Sequence, residues 1–383
     1  MSEFLLNEVC ELIVDCPHTT ANDEGKGFPL VRTPNIGKGR LVYDGMHRVC
    51  EDVYNKRNAR AIPQENDLIF AREATAGNVA LIQKGEKVCL GQRTVLIRPN
   101  QEKVNPAFLT YFLLAPKQQY NLLSTANGAT VAHVNLPTIR NLKIDLPELP
   151  AQHRIATILS RYDSLIENYQ KQIKLLEEAA QRLYKEWFVD LHFPGHENTK
   201  IVNGVPEGWK KIPVDSIYSI KYGKNLSTKL ITPTGKYPVY GANGVIGYYD
   251  VANCNNQVVL ITSRGNGSGD VLMTYHKDAF ITNNSFVVSP LEDYSYCQLP
   301  FTYQFLKNAN FKAVRTGAAQ PQLTNQSIHT VDVVLPSKDI IIEYCDIVSY
   351  CNKKIVILRN QIRLLTEARD RLLPKLMSGE IAV

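Results

Sequence analysis

One twelve-residue phrase occurs twice in this chain and constrains its fold more than any other feature. "QIKLLEEAAQRL" begins at Gln172 and "QIRLLTEARDRL" begins at Gln361, 189 residues later, with eight of the twelve positions identical. Upstream, the same offset matches Leu146 with Leu335 without a gap. A period of this length is too long for a solenoid and indicates duplication of a whole domain followed by a helix.

The sequence before each copy of the phrase follows one plan. "NDLIFAREATAGNVALI" and "NQVVLITSRGNGSGDVLM" each contain a strand-like run, an arginine (Arg72 or Arg264), a glycine-containing loop and a second strand-like run. Further on, Gly128 matches Gly317 in a second loop, and a short strand ending in Leu-Pro precedes the helix. The sequence therefore predicts an α+β fold with two tandem domains, each followed by a long helix.

The two helical stretches carry a seven-residue apolar repeat, and the offset of 189, a multiple of seven, keeps them in one register. About 35 residues form a rod of about 50 Å that cannot bury its apolar stripe alone. We expect the helices to pack as an antiparallel, coiled-coil-like pair, although packing of each helix on its own domain is the alternative. The predicted packing residues are Ile155, Tyr162, Tyr169, Leu176 and Leu183 in the first helix and Tyr344, Cys351, Leu358, Leu365 and Leu372 in the second.

These patterns predict five consecutive segments. The first domain covers residues 1–149 and the first helix covers residues 150–190. A Gly-, Pro- and Asn-rich linker follows at 191–205. The second domain covers 206–337 and the second helix covers 338–378.

Composition limits the classes of protein to which the chain can belong. With 44% hydrophobic and 21% charged residues it is typical of a folded globular protein. No apolar run is long enough for a membrane span and the N-terminus starts acidic, so we expect a cytoplasmic protein without a membrane contact. The eight cysteines form no C-x-x-C pair and the eight histidines no metal-spaced pair, which predicts free thiols and no metal site.

Enzyme motifs are incomplete in this chain. "NPAF" at Asn105 lacks the second proline of the Asn-Pro-Pro-aromatic motif of adenine methyltransferases, and a helix N-cap explains Asn105 better. "SRGNGSGD" at Ser263 lacks the Gly-Lys-Ser/Thr of a phosphate-binding loop. We therefore predict no catalytic residue.

Four stretches resemble one known family. They are "LPELPAQHRIATILSRYDSLIENYQKQIKLLEEAAQRLYKEWF" from Leu146, "VPEGWKKIPV" from Val205, "TGAAQPQLTNQSI" from Thr316 and "LLTEARDRLLPKLMSGEI" from Leu364. With the repeat, the chain resembles over nearly its whole length the DNA-specificity subunit of type I restriction-modification enzymes. One departure is Pro374 at the position of Lys185 in the first copy, which predicts an earlier end or a bend in the second helix.

The resemblance implies a subunit without catalysis or cofactor of its own that binds double-stranded DNA. Each target-recognition domain would read one half of a bipartite, asymmetric sequence, and the helix pair would fix the gap between the halves. The helices would also dock two methyltransferase subunits, which use S-adenosylmethionine, and motor-nuclease subunits, which use ATP and Mg. The alternative is a helical-scaffold protein-interaction module without DNA specificity. Neighbouring genes for a methyltransferase and a motor-nuclease would favour the first interpretation.

Candidate DNA contacts follow from side-chain chemistry. Net charge is only +6, but residues 26–60 hold eight basic against three acidic residues. Arginine bonds guanine and amides bond adenine, whereas lysines and other arginines suit phosphates. Pairing of Arg72 with Asp67 or of Arg264 with Asp270, loop capping by these arginines, and turn-forming roles for the amides are the alternatives. The base-reading candidates are Arg72, Asn78, Arg264, Asn266, Asn283, Asn284, Gln320 and Gln322, and the phosphate candidates are Lys26, Lys38, Arg40, Lys221, Lys224, Lys229 and Arg315.

Overall fold

The computed structural model describes residues 2–124, 133–317 and 320–383. The chain divides into two compact units. Unit 1 combines Met1–Asn168 with Gln361–Val383, and unit 2 is Tyr169–Asn360. Gly128, which the repeat matches with Gly317, lies outside the described residues.

Unit 1 is built on a four-stranded antiparallel sheet, a three-stranded mixed sheet and a strand pair. The strands are β1 Ser2–Leu5, β2 Cys10–Asp15, β3 Phe28–Val31, β4 His47–Val49, β5 Leu68–Ala71, β6 Val79–Leu81, β7 Cys89–Leu90, β8 Thr94–Pro99 and β9 Lys143–Leu146. The helices that begin in unit 1 are α1 Glu51–Arg57, α2 Pro106–Leu114, α3 Pro116–Ser124, α4 Leu136–Arg140 and α5 Leu149–Tyr184, and α5 from Tyr169 onward belongs to unit 2. The sheet orders are β2-β8-β5-β6, β4-β3-β7 and β1-β9, with β3 and β7 parallel.

Unit 2 repeats this topology. Its strands are β10 Ile201–Val202, β11 Val205–Pro206, β12 Lys210–Pro213, β13 Tyr218–Tyr222, β14 Tyr237–Gly241, β15 Gly244–Tyr249, β16 Val259–Thr262, β17 Val271–Met273, β18 Phe280–Ile281, β19 Ser285–Pro290 and β20 Asp332–Leu335. The helices that begin in unit 2 are α6 Leu299–Asn308, α7 Asn325–His329 and α8 Lys338–Ser378, and α8 from Gln361 onward belongs to unit 1. The orders β13-β19-β16-β17, β15-β14-β18 and β12-β20 match those of unit 1, and β14 and β18 are parallel.

The sequence of each unit explains its central strand. β5 reads Leu-Ile-Phe-Ala and β16 reads Val-Leu-Ile-Thr, and all four positions of each strand are buried. A strand that is apolar on both faces must be covered on both faces, unlike an edge strand. The residue that follows each of these strands is therefore held at the end of a rigid sheet.

The long helices run antiparallel where they meet in each unit. In unit 1, Arg369 of α8 donates to Asp163 of α5 at 2.6 Å, while Leu159 and Leu376 share one core. In unit 2, Arg359 donates to Glu177 at 2.9 Å, and further along both helices the hydroxyl of Tyr344 donates to a carbonyl of α5 at 3.1 Å. Residue numbers rise along α5 as they fall along α8. The α+β class and the antiparallel helix pair predicted from the sequence are confirmed.

The buried stripe of α5 lies at the edge of the predicted one. Its most buried positions include Leu159, Ile166, Ile173 and Tyr184, which are at most 9% exposed. Of the predicted packing residues, Ile155, Tyr344 and Leu358 are buried, whereas the others are half-buried: Tyr162, Tyr169, Leu176, Leu183, Cys351, Leu365 and Leu372. The ends of α5 also pack on the cores of the folded domains, through Ile155 and Leu159 in unit 1 and through Tyr184 in unit 2.

The second helix does not end early at Pro374, so the expectation of an earlier end is wrong. α8 continues through Pro374 to Ser378, whereas the α-helical part of α5 ends at Tyr184 and a π-helical turn, Lys185–Val189, follows. Proline removes one backbone hydrogen bond. Leu376 is only 2% exposed, and its burial in the core of unit 1 offsets this cost.

The predicted linker contains a tight hairpin. β10 pairs antiparallel with β11 through Asn203 and Gly204, which both have positive φ. Asn-Gly is the preferred pair for such a two-residue turn. The hairpin leads to Trp209, whose ring packs on Phe188 and Phe193 in the core of unit 2. Among the described helices, none has the length and apolar character that crossing a membrane requires.

Candidate functional site

Ser263, the residue after β16, joins three loops of unit 2. Its N–H donates to the carbonyl of Asn284 at 2.8 Å, and its hydroxyl donates to the carbonyl of Asn283 at 3.1 Å. Its own carbonyl accepts from the N–H of Leu323 at 2.8 Å. Ser263 is fully buried, so these bonds are shielded from water and fix the three loops at the end of the sheet.

Polar side chains project from the loops that Ser263 joins. Arg264 and Gln322 are exposed and form an antiparallel β-bridge with each other. Arg315 donates to the carbonyl of Asn266 at 3.4 Å, which ties the loop after β16 to the loop before α7. No hydrogen bond of the Arg264 side chain is found among the residues that the structure describes. Arg264 is therefore exposed in a loop whose backbone is bridged to that of Gln322.

Two glycines permit the tight approach of these loops. Gly269 has a φ of +87° and Gly317 a φ of +85°, in the left-handed region that favours glycine. A Cβ on Gly317 would lie 2.7 Å from the carbonyl oxygen of Gln320. Gln320 itself is exposed beside this turn.

The three lysines of unit 2 that are phosphate candidates differ in how they are placed relative to these loops. Lys224 is exposed, and its carbonyl accepts from the N–H of Asn283 at 3.0 Å, so it lies beside the loops. Lys221 is exposed on β13, opposite Val287 of β19. Lys229 is exposed on a separate short turn and has no hydrogen bond to these loops among the described residues. Unit 2 thus brings together most of its candidates: Lys224, Arg264, Asn266, Asn283, Asn284, Arg315 and Gln322.

Unit 1 has a charged network at the corresponding sheet end. Arg72 follows β5 and is only 8% exposed; its Nε donates to the carbonyl of Val134 at 2.9 Å. Its Nη2 lies 2.8 Å from Nε2 of His133, whose Nδ1 lies 2.6 Å from Glu73. The guanidinium is only a donor, so His133 Nε2 must accept and Nδ1–H must donate to Glu73. Glu73 also accepts from Arg93 at 2.6 Å.

Arg72 therefore fixes loops of its own unit in this structure, as the loop-capping alternative expects, and its base-reading role stays a prediction. Both of its donating groups above are used internally, and its side chain is buried. Asn78 likewise donates its amide to the carbonyl of Ile36 at 2.9 Å. The acids proposed as alternative partners pair elsewhere: Asp67 with Arg98 at 2.8 Å, and Asp270 with Lys312 at 2.6 Å.

Several of the basic residues at 26–60 form hydrogen bonds or ion pairs within unit 1. Arg57 is buried and donates to the carbonyls of Leu90 and Thr19. Arg40 lies 3.6 Å from Glu167 of α5. Lys26 and Lys38 are exposed, and no side-chain bond to either is found in the part of the chain that the structure describes. These two lysines are the phosphate candidates that unit 1 leaves open to solvent.

Backbone hydrogen bonds give the correspondence between the two units. Arg72 N–H donates to the carbonyl of Arg93 as Ser263 N–H donates to that of Asn284, and the carbonyls of Arg72 and Ser263 accept from Val134 and Leu323. Arg72 therefore corresponds to Ser263, and Val134 corresponds to Leu323. The residues that follow the first pair, and those that precede the second pair, then correspond as well. The resulting pairs of positions are Glu73 with Arg264, Arg93 with Asn284, and His133 with Gln322.

Glu73, Arg93 and His133 were missed from the sequence. The loop between β5 and β6 spans residues 72–78, whereas the loop between β16 and β17 spans 263–270, one residue more. Matching arginine with arginine therefore misaligns the loops by one position. Arg93 has a φ of +64°, a feature that its residue type does not indicate.

A tyrosine, a carboxylate and an arginine connect domain and helices within each unit. In unit 1, the hydroxyl of Tyr111 donates to Asp163 at 2.5 Å, and Arg369 donates to the other oxygen. In unit 2, Tyr275 donates to Glu177 at 3.2 Å, and the Arg359 guanidinium lies 3.7 Å from the centre of the Tyr275 ring. Burial raises the pKa of both tyrosines, so both hydroxyls remain protonated donors.

The described residues also bear on the sequence predictions about metal binding, cysteines and Asn105. Among the described residues, no group of three His, Cys, Asp or Glu side chains is arranged to hold a metal ion. All eight cysteines are free, and Cys16, Cys89, Cys297 and Cys345 are buried. Asn105 caps α2 by accepting from the N–H of Phe108 at 2.9 Å, which confirms its predicted role.

Comparisons with known proteins place these features in context. A family profile for the type I restriction modification DNA specificity domain matches residues 1–178 and 206–367. The chain is 24% identical to the type I restriction enzyme MjaIX specificity subunit of Methanocaldococcus jannaschii, over 94% of this chain and 88% of that protein. It is 29% identical to the putative MjaX specificity subunit of the same organism, over 54% of this chain and 50% of that protein.

One solved structure resembles the fold over almost the whole chain. The type I restriction-modification system S subunit from M. genitalium aligns with a TM-score of 0.57 and 19% identity, covering 98% of this chain and 95% of that one. With so few identical residues, the likeness concerns the fold alone.

Proposed function

This chain belongs to the family of type I restriction modification DNA specificity domains, and from that premise we propose that it reads a bipartite, asymmetric DNA sequence. Each unit contacts one half-site through the loops at the end of its central strand. The chain itself carries out no methylation or cleavage. Two methyltransferase subunits with S-adenosylmethionine and motor-nuclease subunits with ATP and Mg supply those reactions, in the cytoplasm.

The observation that carries this proposal is that the two units share one topology but have different side chains in the corresponding loops. The sheet orders of the units match, and corresponding backbone hydrogen bonds hold corresponding loops. At matched positions the side chains differ, as with Glu73 and Arg264 or Arg93 and Asn284. A common frame with different donors and acceptors suits two different half-sites, because base edges are distinguished by their donor and acceptor pattern.

The helix pair suits a spacer function. Half-sites on DNA are read together only when the reading surfaces are held at a spacing set by the helical repeat, about 34 Å per turn. The antiparallel pair and the tyrosine, carboxylate and arginine contacts in each unit resist bending where the domains meet the helices. A flexible linker would not hold such a spacing.

Exposed apolar residues on the helices suit the docking of partner subunits. Leu175 of α5 is 64% exposed and Leu364 of α8 is 49% exposed. They stand 189 residues apart and occupy the same position of the repeat. Repeated apolar positions favour two copies of one partner, which agrees with two methyltransferase subunits.

Methylome sequencing tests the proposal directly. We expect the purified chain to show neither methylation nor cleavage, and the chain with its modification subunits to methylate one bipartite motif. Binding should weaken steeply with added salt because phosphate contacts release counterions. A complex that assembles and methylates DNA without sequence preference would contradict the proposal and favour the protein-scaffold alternative.

A further inference from the structure

Arg93 of unit 1 combines exposure with a fixed position. It is the residue before β8, and its side chain is 61% exposed although Nη1 is held 2.6 Å from Glu73. Glu73 is itself only 17% exposed and accepts a second bond, from His133. No hydrogen bond from Nε or Nη2 of Arg93 is found within the described residues. The arginine is therefore anchored on one side and open to donate on the other.

The backbone of Arg93 has a conformation that favours glycine. Its φ of +64° lies in the left-handed region, where the Cβ of an L-residue approaches the carbonyl oxygen. Glycine adopts this conformation without that contact. Such conformations in non-glycine residues cluster at binding sites. An arginine at this turn, in place of glycine, points to a function of the guanidinium.

The matched position in unit 2 places this arginine on the reading surface. Arg93 and Asn284 each offer a backbone carbonyl to the residue that follows the central strand, Arg72 or Ser263. Asn284 lies in the loop cluster that contains Arg264 and Gln322. Arg93 therefore occupies in unit 1 the place that a candidate base reader occupies in unit 2.

We propose that Arg93 is a specificity-determining DNA contact of unit 1 and that Glu73 is its positioning residue. Arginine donates two parallel hydrogen bonds to O6 and N7 of guanine in the major groove. Glu73 holds one edge of the guanidinium, which reduces the number of conformers lost on binding. His133 holds Glu73, and the buried Arg72 in turn holds His133. This inference rests on the proposed function and assigns the contact within it.

The test uses the full chain assembled with its modification subunits. R93A should reduce discrimination about 5- to 150-fold at one base position of one half-site, the range expected for loss of a bidentate contact. The other half-site should be unchanged. R60A is the matched control, because Arg60 is an exposed arginine of unit 1 that pairs with Asp15. It should leave the motif unchanged.

Two further variants separate a specificity role from a folding role. R93G removes the side chain and suits the left-handed backbone, so it should relax the motif as R93A does, with a smaller loss of melting temperature than R93A. E73Q should relax preference at the same base position, and the E73Q/R93A double variant should be no more relaxed than R93A alone.

The outcomes distinguish this inference from the proposed function. An active R93A or R93G complex with an unchanged motif, or with equal loss at both half-sites, would overturn the role of Arg93. Relaxation by E73Q at a different base position would overturn the role of Glu73. Absence of any motif for the unaltered complex would instead overturn the proposed function.

Discussion

At the scale of single residues, Arg264 is the clearest base-reading candidate that the sequence suggested. It is exposed at the loop cluster of unit 2. We predict that R264A reduces discrimination at one base position of a single half-site by about 5- to 150-fold, because one bidentate contact is lost. Methylome sequencing of the assembled complex measures this. K211A, at an exposed cation on β12, should leave the motif intact; equal loss at both half-sites for R264A would exclude a base contact.

Thiol reactivity is a second property of individual residues. Burial raises the pKa of Cys297 to about 12 and that of Cys345 to about 11, so neither forms much thiolate near pH 8. Cys50 is exposed. We predict that Cys50 is alkylated first in the native protein and that Cys297 and Cys345 react only after unfolding. Peptide mass spectrometry after timed iodoacetamide treatment checks this, and early labelling of Cys345 would contradict the buried packing.

At the scale of elements, the contact between α5 and α8 in unit 1 depends on Arg369. Its side chain is 17% exposed and donates to Asp163, which also accepts from Tyr111. We predict that R369A destabilises unit 1 by about 1–3 kcal/mol, since it leaves a half-shielded carboxylate without its cation. R371A is the control on the same helix: Arg371 is 78% exposed, so a change of about 0.5 kcal/mol or less is expected. Urea unfolding followed by circular dichroism compares the two, and equal effects would refute the argument.

Elements also show what the sequence could predict. Heptad periodicity and the 189-residue offset are sufficient to predict both long helices, because these signals repeat along the chain. The loops carry no such periodicity. One additional residue between β16 and β17 moves the match of Arg72 from Arg264 to Ser263. Only the backbone hydrogen bonds reveal that Glu73 and Arg264 correspond. The fold was thus largely predictable, whereas the candidate reading surface of unit 1 was not.

At the scale of the whole molecule, the lengths of α5 and α8 should set the gap in the DNA target. We predict that seven residues inserted into each helix, after Asn168 and after Asn360, lengthen the unread gap by about three base pairs. Seven residues add about 10.5 Å of helix, and base pairs are about 3.4 Å apart. These sites lie at the boundary of the two units, and seven residues preserve the apolar register.

The control for this experiment is an insertion in one helix only. It breaks the match between α5 and α8, so we expect loss of stability or of methylation. An active double-insertion complex with the original gap would show that the helices do not set the spacing.

Unit 1 is made of two separate segments of the chain, and this affects when its folding can be completed during translation. Residues 361–383 complete the core of unit 1, where Leu376 is buried with Leu159, yet they emerge after the whole of unit 2 has been made. Until then the early part of α5 has an uncovered apolar stripe. Of the two units, the one whose translation begins first is therefore completed last, and a chain cut short in α8 leaves that unit's earlier part exposed to proteases.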